Sequence, residues 1–333
     1  RSGPATARSS YNGTYYKSID AGRLTKIRVK SSDAKTVYIA TAGGGVWKTS
    51  NFSQYPTWEP ITDGLGSLAV GALELDPNDE KTVWIGLGDA FDQQGGGLVK
   101  SLDEGKTWGE PILLSAAHPV DGQPTITNNV RDIRIDPANS NNILVATNDG
   151  FYRSTDGGAT FGFIDLPNTA ATGPVREATW SLVYLGTGTD GQSQWLVSGA
   201  YACPGAQPPH PASGTQNRLL STDKCASNPA VGNYGDIWKS TDSGATWVSS
   251  RASGTLPSTV TASGATDISH IHMSGSGTAD PAATVVYAIG GSLNDAASAT
   301  NAVLKSVNGG NTWTVVATKA TPVTNPTSLG TNC

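Results

Sequence analysis

The sequence predicts an all-β fold, a β-propeller of four-stranded antiparallel blades. Two observations carry this. The phrase Ser-x-Asp-x-Gly-x-Thr-aromatic recurs as SLDEGKTW (101–108), STDGGATF (154–161), STDSGATW (240–247) and SVNGGNTW (306–313), with Asn308 replacing Asp in the last copy. Each copy sits at the same place in a longer stretch of short apolar, β-branched runs parted by turn residues. An eroded copy with extra residues runs from Thr49 to Trp58. One unit used repeatedly is the signature of repeat architecture.

The stretch ending in STDGGATF shows the unit most clearly. Residues 130–135 alternate as a half-buried strand, and Asp136-Pro137 breaks the run. Residues 143–147 form a second, β-branched strand, and Asn148-Asp149-Gly150 is a turn. Residues 151–154 are a third strand, the octapeptide is a hairpin turn, and 161–164 begin a fourth. Aligned this way, five blades fall at about 22–61, 69–113, 130–165, 178–250 and 267–317. Residues 1–21 are left as an N-terminal extension and 318–333 as a Thr/Pro-rich tail.

The octapeptide residues suit a turn. A short carboxylate such as Asp156 accepts hydrogen bonds from the backbone N–H groups of its own turn. Gly158 takes positive φ without steric cost. The final aromatic presents a large apolar face to neighbouring blades. The structural set is therefore Ser101, Asp103, Gly105 and Trp108; Ser154, Asp156, Gly158 and Phe161; Ser240, Asp242, Gly244 and Trp247; and Ser306, Asn308, Gly310 and Trp313.

These units resemble the BNR or Asp-box repeat proteins, a group that includes sialidases, the xyloglucanase family of glycoside hydrolases and sortilin-like propellers. Gly22-Arg23 leading into a strand, followed by VYIATAGGGVWKT (37–49), is similar to the opening of bacterial secreted members. The resemblance implies more blades than the five seen here. The expectation is that the chain is part of a larger propeller of about seven or more blades. A blade lacking the motif, or closure with five, are the alternatives.

Charged residues make up 15% of the 333 residues, against about 25% in typical soluble domains. The formal net charge is −5 and Lys and Arg form no block, which argues against nucleic-acid binding. No apolar run approaches the ~18 residues needed to cross a bilayer. The chain begins at Arg1, so a removed leader is expected, with a secreted, cell-surface or periplasmic location. Cys203 and Cys225 flank one long loop, and a disulfide there would contribute roughly 3 kcal/mol. Cys333 would then be left to pair with a segment outside this sequence. Asn12-Gly13-Thr14 and Asn51-Phe52-Ser53 fit the glycosylation sequon.

The resemblance places the octapeptides on the face away from the active site. The opposite face carries the second-to-third strand turns and the links between blades. Its loops are long at 88–97, 201–235 (with His210) and 291–301, as is the link at 111–129 with His118 and Asp121. Glycosidases need two carboxylates across a cleft. The candidates are Asp89, Asp92, Asp132, Glu177 and Asp267. Arg23, Arg131 and Arg176 stand near the starts of inner strands, as substrate-binding arginines do in sialidases, and Trp47 and Trp180 are candidate stacking aromatics. In the xyloglucanase relatives a catalytic Asp follows Thr in the first-blade loop. Here the stretch is Thr41-Ala42-Gly43-Gly44-Gly45, and Ala42 has no acid or base to offer.

No cofactor is required by any motif. A Ca²⁺ site from Asp89, Asp92 and the carbonyls of Gly95, Gly96 and Gly97 is the one metal candidate, and His270 and His272 lack a third zinc ligand. Two readings result. The first is a secreted or surface propeller binding a glycan or protein partner without catalysis, the partner extending to the remaining propeller or copies of itself. The alternative is a glycoside hydrolase related to xyloglucanases or sialidases. A role in a surface layer is a third.

Overall fold

A computed structural model describes residues 7–11, 14–18, 23–53, 55–89, 95–115, 127, 129–167, 177–201, 235–257, 270–291 and 302–318. Its secondary structure is almost wholly strand, ordered as sequential antiparallel meanders. The first blade is β3 (Leu24–Lys30), β4 (Asp33–Thr41), β5 (Val46–Thr49) and β6 (Glu59–Pro60). The second is β7 (Val70–Leu75), β8 (Val83–Leu87) and β9 (Leu98–Ser101), with its fourth strand reduced to a bridge between Leu98 and Ile112. The third is β10 (Val130–Asp136), β11 (Asn139–Thr147), β12 (Phe151–Ser154) and β13 (Gly162–Ile164). The fourth is β14 (Glu177–Thr187), β15 (Ser193–Tyr201), β16 (Gly235–Ser240) and β17 (Val248–Ser249). The fifth is β18 (His270–Gly275), β19 (Val286–Gly291), β20 (Ala302–Ser306) and β21 (Thr314–Thr318).

The fold is all-β and of propeller type, as the repeats predicted. Two local features differ from expectation. The N-terminal extension contains a hairpin, β1 (Ala7–Tyr11) and β2 (Thr14–Ser18), in which Tyr11 pairs with Thr14. The residues between them are Asn12-Gly13, a dipeptide that favours two-residue hairpin loops. In the third blade, β11 starts at Asn139 rather than at Ile143. A turn at 137–138 directly precedes it, so the polar residues 139–142 belong to the strand.

Two compact units are present: residues 1–113 with 128–133, and residues 114–127 with 134–333. Within the first, Tyr38, Ala40 and Val46 of the first blade pack on Leu73, Leu75, Ile85 and Val99 of the second. Within the second, Leu144, Ala146 and Phe151 pack on Leu182, Trp195, Val197 and Trp238. Val183, Leu185 and Leu196 then pack on Ile271, Val286, Ala288 and Leu304. Blades one and two, three and four, and four and five thus meet through apolar faces, as a stacked repeat requires. Among the described residues no helix is long and apolar enough to cross a membrane.

Candidate functional site

The octapeptides are closed hydrogen-bonded turns between third and fourth strands. Ser101 Oγ donates to Asp103 Oδ1 (2.8 Å) and accepts from Gly105 N (2.8 Å). Asp103 Oδ1 accepts from Thr107 N (2.8 Å) and Oδ2 from Thr107 Oγ1 (2.6 Å). Ser154, Asp156, Gly158 and Thr160 repeat the pattern, as do Ser240, Asp242, Gly244 and Thr246. The Thr107 hydroxyl and N–H, with the Ser101 hydroxyl, hold the Asp103 carboxyl down at about 2. Asp156 is held at about 2 by Thr160 and Ser154 in the same way. In the last copy Asn308 Oδ1 accepts from Ser306 Oγ (3.0 Å) and Thr312 N (2.9 Å), while its Nδ2 donates to Thr312 Oγ1 (2.9 Å). The eroded first copy keeps the chemistry. Asn51 Oδ1 accepts from Thr49 Oγ1 (2.8 Å), Thr57 N (3.0 Å) and Thr57 Oγ1 (3.1 Å), so the extra residues bulge without breaking the turn. All these carboxylates and amides are committed to their own turns.

The inner strands of the first unit carry a charged face. Lys26, Arg28 and Lys30 alternate along β3, so their side chains share one side of the strand. Arg28 grips Glu74 of β7 bidentately, Nε to Oε1 at 3.0 Å and Nη2 to Oε2 at 2.9 Å. Lys26 Nζ lies 3.0 Å from Asp132 Oδ1, and Arg28 Nη2 is 3.9 Å from the same oxygen. Glu74 and Asp132 therefore flank one guanidinium nitrogen. At the end of β3, Arg23 is ion-paired through Nη2 with Asp89.

Beside that pair lies the turn 41–45. Ala42 N donates to Arg23 O (3.0 Å) and Gly45 N to Leu68 O (2.8 Å). Thr41 Oγ1 accepts from Gly44 N (2.9 Å) and donates to Gly45 O (2.9 Å), while Trp47 Nε1 donates to Gly44 O (2.9 Å). The third blade closes its corresponding turn alike, with Thr147 Oγ1 donating to Gly150 O (2.9 Å). Arg23, Asp89, the 41–45 turn and half-buried Trp47 form the most coherent polar group on the face opposite the octapeptides.

The structure scatters the other predicted residues. Asp132 is buried against Lys26 rather than open to a cleft. Arg131 is buried, its Nε donating to Asn129 Oδ1 (3.1 Å), and burial pushes its guanidinium down to about 9. Trp180 is also buried, its ring centroid 5.6 Å from that of His272, and presents no open stacking face. Asp92, Arg176, Asp267, Cys203 and Cys225 lie outside the described residues, as does the side chain of Glu177. Asp92 and the disulfide are therefore without structural description, and Asp89 is seen beside Arg23. Lys26, Arg28 and Glu74 were not predicted, although the basic alternation in KIRVK was a signal available in the sequence.

A separate polar cleft of about 270 Å³ lies in the second unit, lined by Asp136, Asn142, Arg153, Gln192 and Ser243 among others. Asn142 ties it together, donating to Asp136 Oδ2 (2.8 Å) and accepting from Arg153 Nε (2.7 Å). Burial lowers the Arg153 guanidinium, and Asp242 and Asp136 offset part of that. The cleft has no aromatic wall and sits beside the octapeptide turn that contains Ser243.

Two curated proteins align with the chain. A xyloglucanase of Hypocrea jecorina (strain QM6a) is 25% identical over 259 residues, covering 63% of this chain and 30% of that protein. A xyloglucanase of a Paenibacillus species is 26% identical over 273 residues, covering 68% of this chain and 26% of that protein. Among solved structures, the GH74 xyloglucanase from Xanthomonas campestris matches with a TM-score of 0.52 at 19% identity, over 88% of this chain and 38% of that one. No protein-family profile matches. The chain spans less than a third of the length of the curated relatives. The structural likeness establishes the propeller fold.

Proposed function

We propose that this chain is a propeller segment of a carbohydrate-active protein of glycoside-hydrolase type, and that it engages xyloglucan or a related glucan. The observation that carries the reading is that both curated relatives, aligned over 63% and 68% of the chain, are xyloglucanases. This puts the hydrolase-type reading ahead of the binding-only one that the sequence favoured, and gives a protein partner no support. We assign the octapeptide turns to the Asp-box repeat on their shared hydrogen-bond pattern. The engaging face is the one with Arg23, Asp89, the 41–45 turn and Trp47: it combines an ion pair, a glycine-rich turn and an indole, the ingredients of sugar recognition. A polymeric glucan does not enter cells, so location outside the membrane belongs to the same proposal.

Ala42 supports a second reading, in which this segment binds glucan and leaves hydrolysis to carboxylates elsewhere in a longer protein. Where the xyloglucanase motif places Asp, the turn here offers a methyl group. Glu74 and Asp132 are bound by Arg28 and Lys26, and hydrolysis needs one carboxylic acid and one carboxylate facing a shared space. The test is isothermal titration with xyloglucan oligosaccharides together with reducing-end release from polymeric xyloglucan. Saturable binding is expected. Release of reducing ends selects the hydrolase, binding without release selects the second reading, and absence of both sinks the proposal.

A further inference from the structure

The basic residue immediately before an octapeptide reaches toward the octapeptide of the next blade. Lys48 Nζ donates to Glu104 Oε2 (2.7 Å), and Lys239 Nζ to Asn311 Oδ1 (2.7 Å). These acceptors stand at the fourth and sixth octapeptide positions. Between the third and fourth blades the basic residue is Arg153, and the same two positions hold Ser243 and Ala245. Ala245 has no polar side-chain atom. The Ser243 hydroxyl is committed elsewhere, accepting from Ser193 N (3.0 Å) and donating to Gln192 Oε1 (2.8 Å). Asn142 bridges the seam instead: its Nδ2 donates to Ser243 O (2.9 Å) and its Oδ1 accepts from Arg153 Nε (2.7 Å). Nη1 and Nη2 of Arg153 meet no acceptor among the described residues.

The polar cleft of about 270 Å³ opens at this place, within the second unit. Its acceptors are spent. Asp136 Oδ1 accepts from Ala138 N (3.0 Å) and the Ser193 hydroxyl, and Oδ2 from Asn142 Nδ2 (2.8 Å). Both oxygens of nearby Asp242 serve its own turn. Its donors are not. Besides the outer edge of Arg153, Gln192 keeps Nε2 without an acceptor among the described residues, because Ser243 holds only its Oε1. A cleft with acceptors used up and donors left over suits a ligand made of oxygen acceptors. The half-buried guanidinium adds a preference for charge. Burial disfavours its cationic form more than Asp242 and Asp136 restore it, and an anionic oxygen on the outer edge offsets that cost. The same two carboxylates repel an incoming anion, more strongly for two charges than for one, so the ligand is a monoanion.

We propose that this cleft binds a small hydroxy acid, its carboxylate paired bidentately with Nη1 and Nη2 of Arg153 and a hydroxyl oxygen accepting from Gln192 Nε2. The cavity volume is below that of pockets for drug-sized ligands, which suits an acid of monosaccharide size. The ligand takes the place of the acceptor that Glu104 and Asn311 supply at the other two seams.

The test is isothermal titration of the whole chain with sodium glucuronate, beside glucose and sodium sulfate at matched ionic strength, repeated on Arg153→Lys and Gln192→Ala. Saturable glucuronate binding is expected, with glucose and sulfate each weaker by about tenfold or more. Arg153→Lys keeps the charge and loses the planar fork, and should weaken glucuronate binding about tenfold. Gln192→Ala should weaken it about threefold, the loss of one hydrogen bond. Thermal melting checks the fold of both. Gln192 is exposed, so its variant gives a reading even if Arg153→Lys does not fold. Absence of saturable glucuronate binding overturns the proposal. So does glucose or sulfate binding as tightly as glucuronate, or wild-type affinity in either folded variant. Xyloglucan carries no carboxylate, so this inference and the proposed function stand or fall separately.

Discussion

Asp103 and Asn308 perform the same task with different side chains. Both accept from a serine hydroxyl and a threonine N–H, and the threonine hydroxyl donates to the carboxylate but accepts from the amide. The difference matters in acid. Asp103 and Asp156 are held at about 2, below the ordinary 3.8, so their contribution is complete above 3.8 and is lost as pH falls through about 2. Asp103→Asn should therefore melt close to wild type at pH 7 and lose less stability than wild type between pH 4 and pH 2, read by thermal denaturation across that range. Equal acid sensitivity in the two proteins would count against this account. Glu104 is also held down at about 2, by hydrogen bonds from Lys30 and Lys48, and it occupies positive φ (66°) where the third and fifth blades use Gly157 and Gly309. Its two ion pairs with Lys30 and Lys48 offset the backbone strain that glycine avoids.

The fourth blade depends on one glycine and one large aromatic. Gly244 has φ 84° and rests against Leu144 of the preceding sheet, so Gly244→Ala meets both backbone strain and overpacking. A loss of about 2 kcal/mol is expected by urea denaturation, and Leu144→Ala in the same chain should recover part of it, a non-additive cycle that distant sites would not show. Trp238 is fully buried and its Nε1 donates to Pro167 O (2.7 Å). Trp238→Ala should cost about 4 kcal/mol, because cavity and orphaned carbonyl act together. A loss below about 1 kcal/mol would mean that the site collapses freely. The turn position of Gly244 could be read in advance, since a turn's chemistry is local and lies within eight residues, whereas Trp238 lies outside the octapeptide and its role could not.

The proposed site depends on contacts far apart in the chain. Arg23 meets Asp89 across 66 residues and Lys26 meets Asp132 across 106, separations that no periodicity records. The aspartates at 89 and 132 look alike in sequence, as polar residues at strand ends. Folding sets Asp132 under Lys26 and Asp89 beside the partly exposed Arg23. Trp47 and Trp180 likewise look alike, yet Trp180 is enclosed against His272 and Trp47 keeps a face toward solvent. Trp47→Ala should therefore weaken xyloglucan-oligosaccharide binding roughly fivefold, the loss of an aromatic contact of about 1 kcal/mol, while Trp180→Ala should act chiefly on stability. Titration and melting curves on both variants separate the two effects.

Local chemistry was enough to foretell strands, turns and the number of repeated sheets here, because strand alternation and turn hydrogen bonds act over a few residues. The octapeptide at 306–313 could be recognised even with its aspartate gone. Which charges are buried in pairs and which indole stays open came from the folded chain. Those properties belong to surfaces assembled from distant segments: Tyr287 and Tyr38 occupy the same position in their blades, yet Tyr38 is enclosed by Leu73 and Leu75 of the second blade while Tyr287 is 45% exposed.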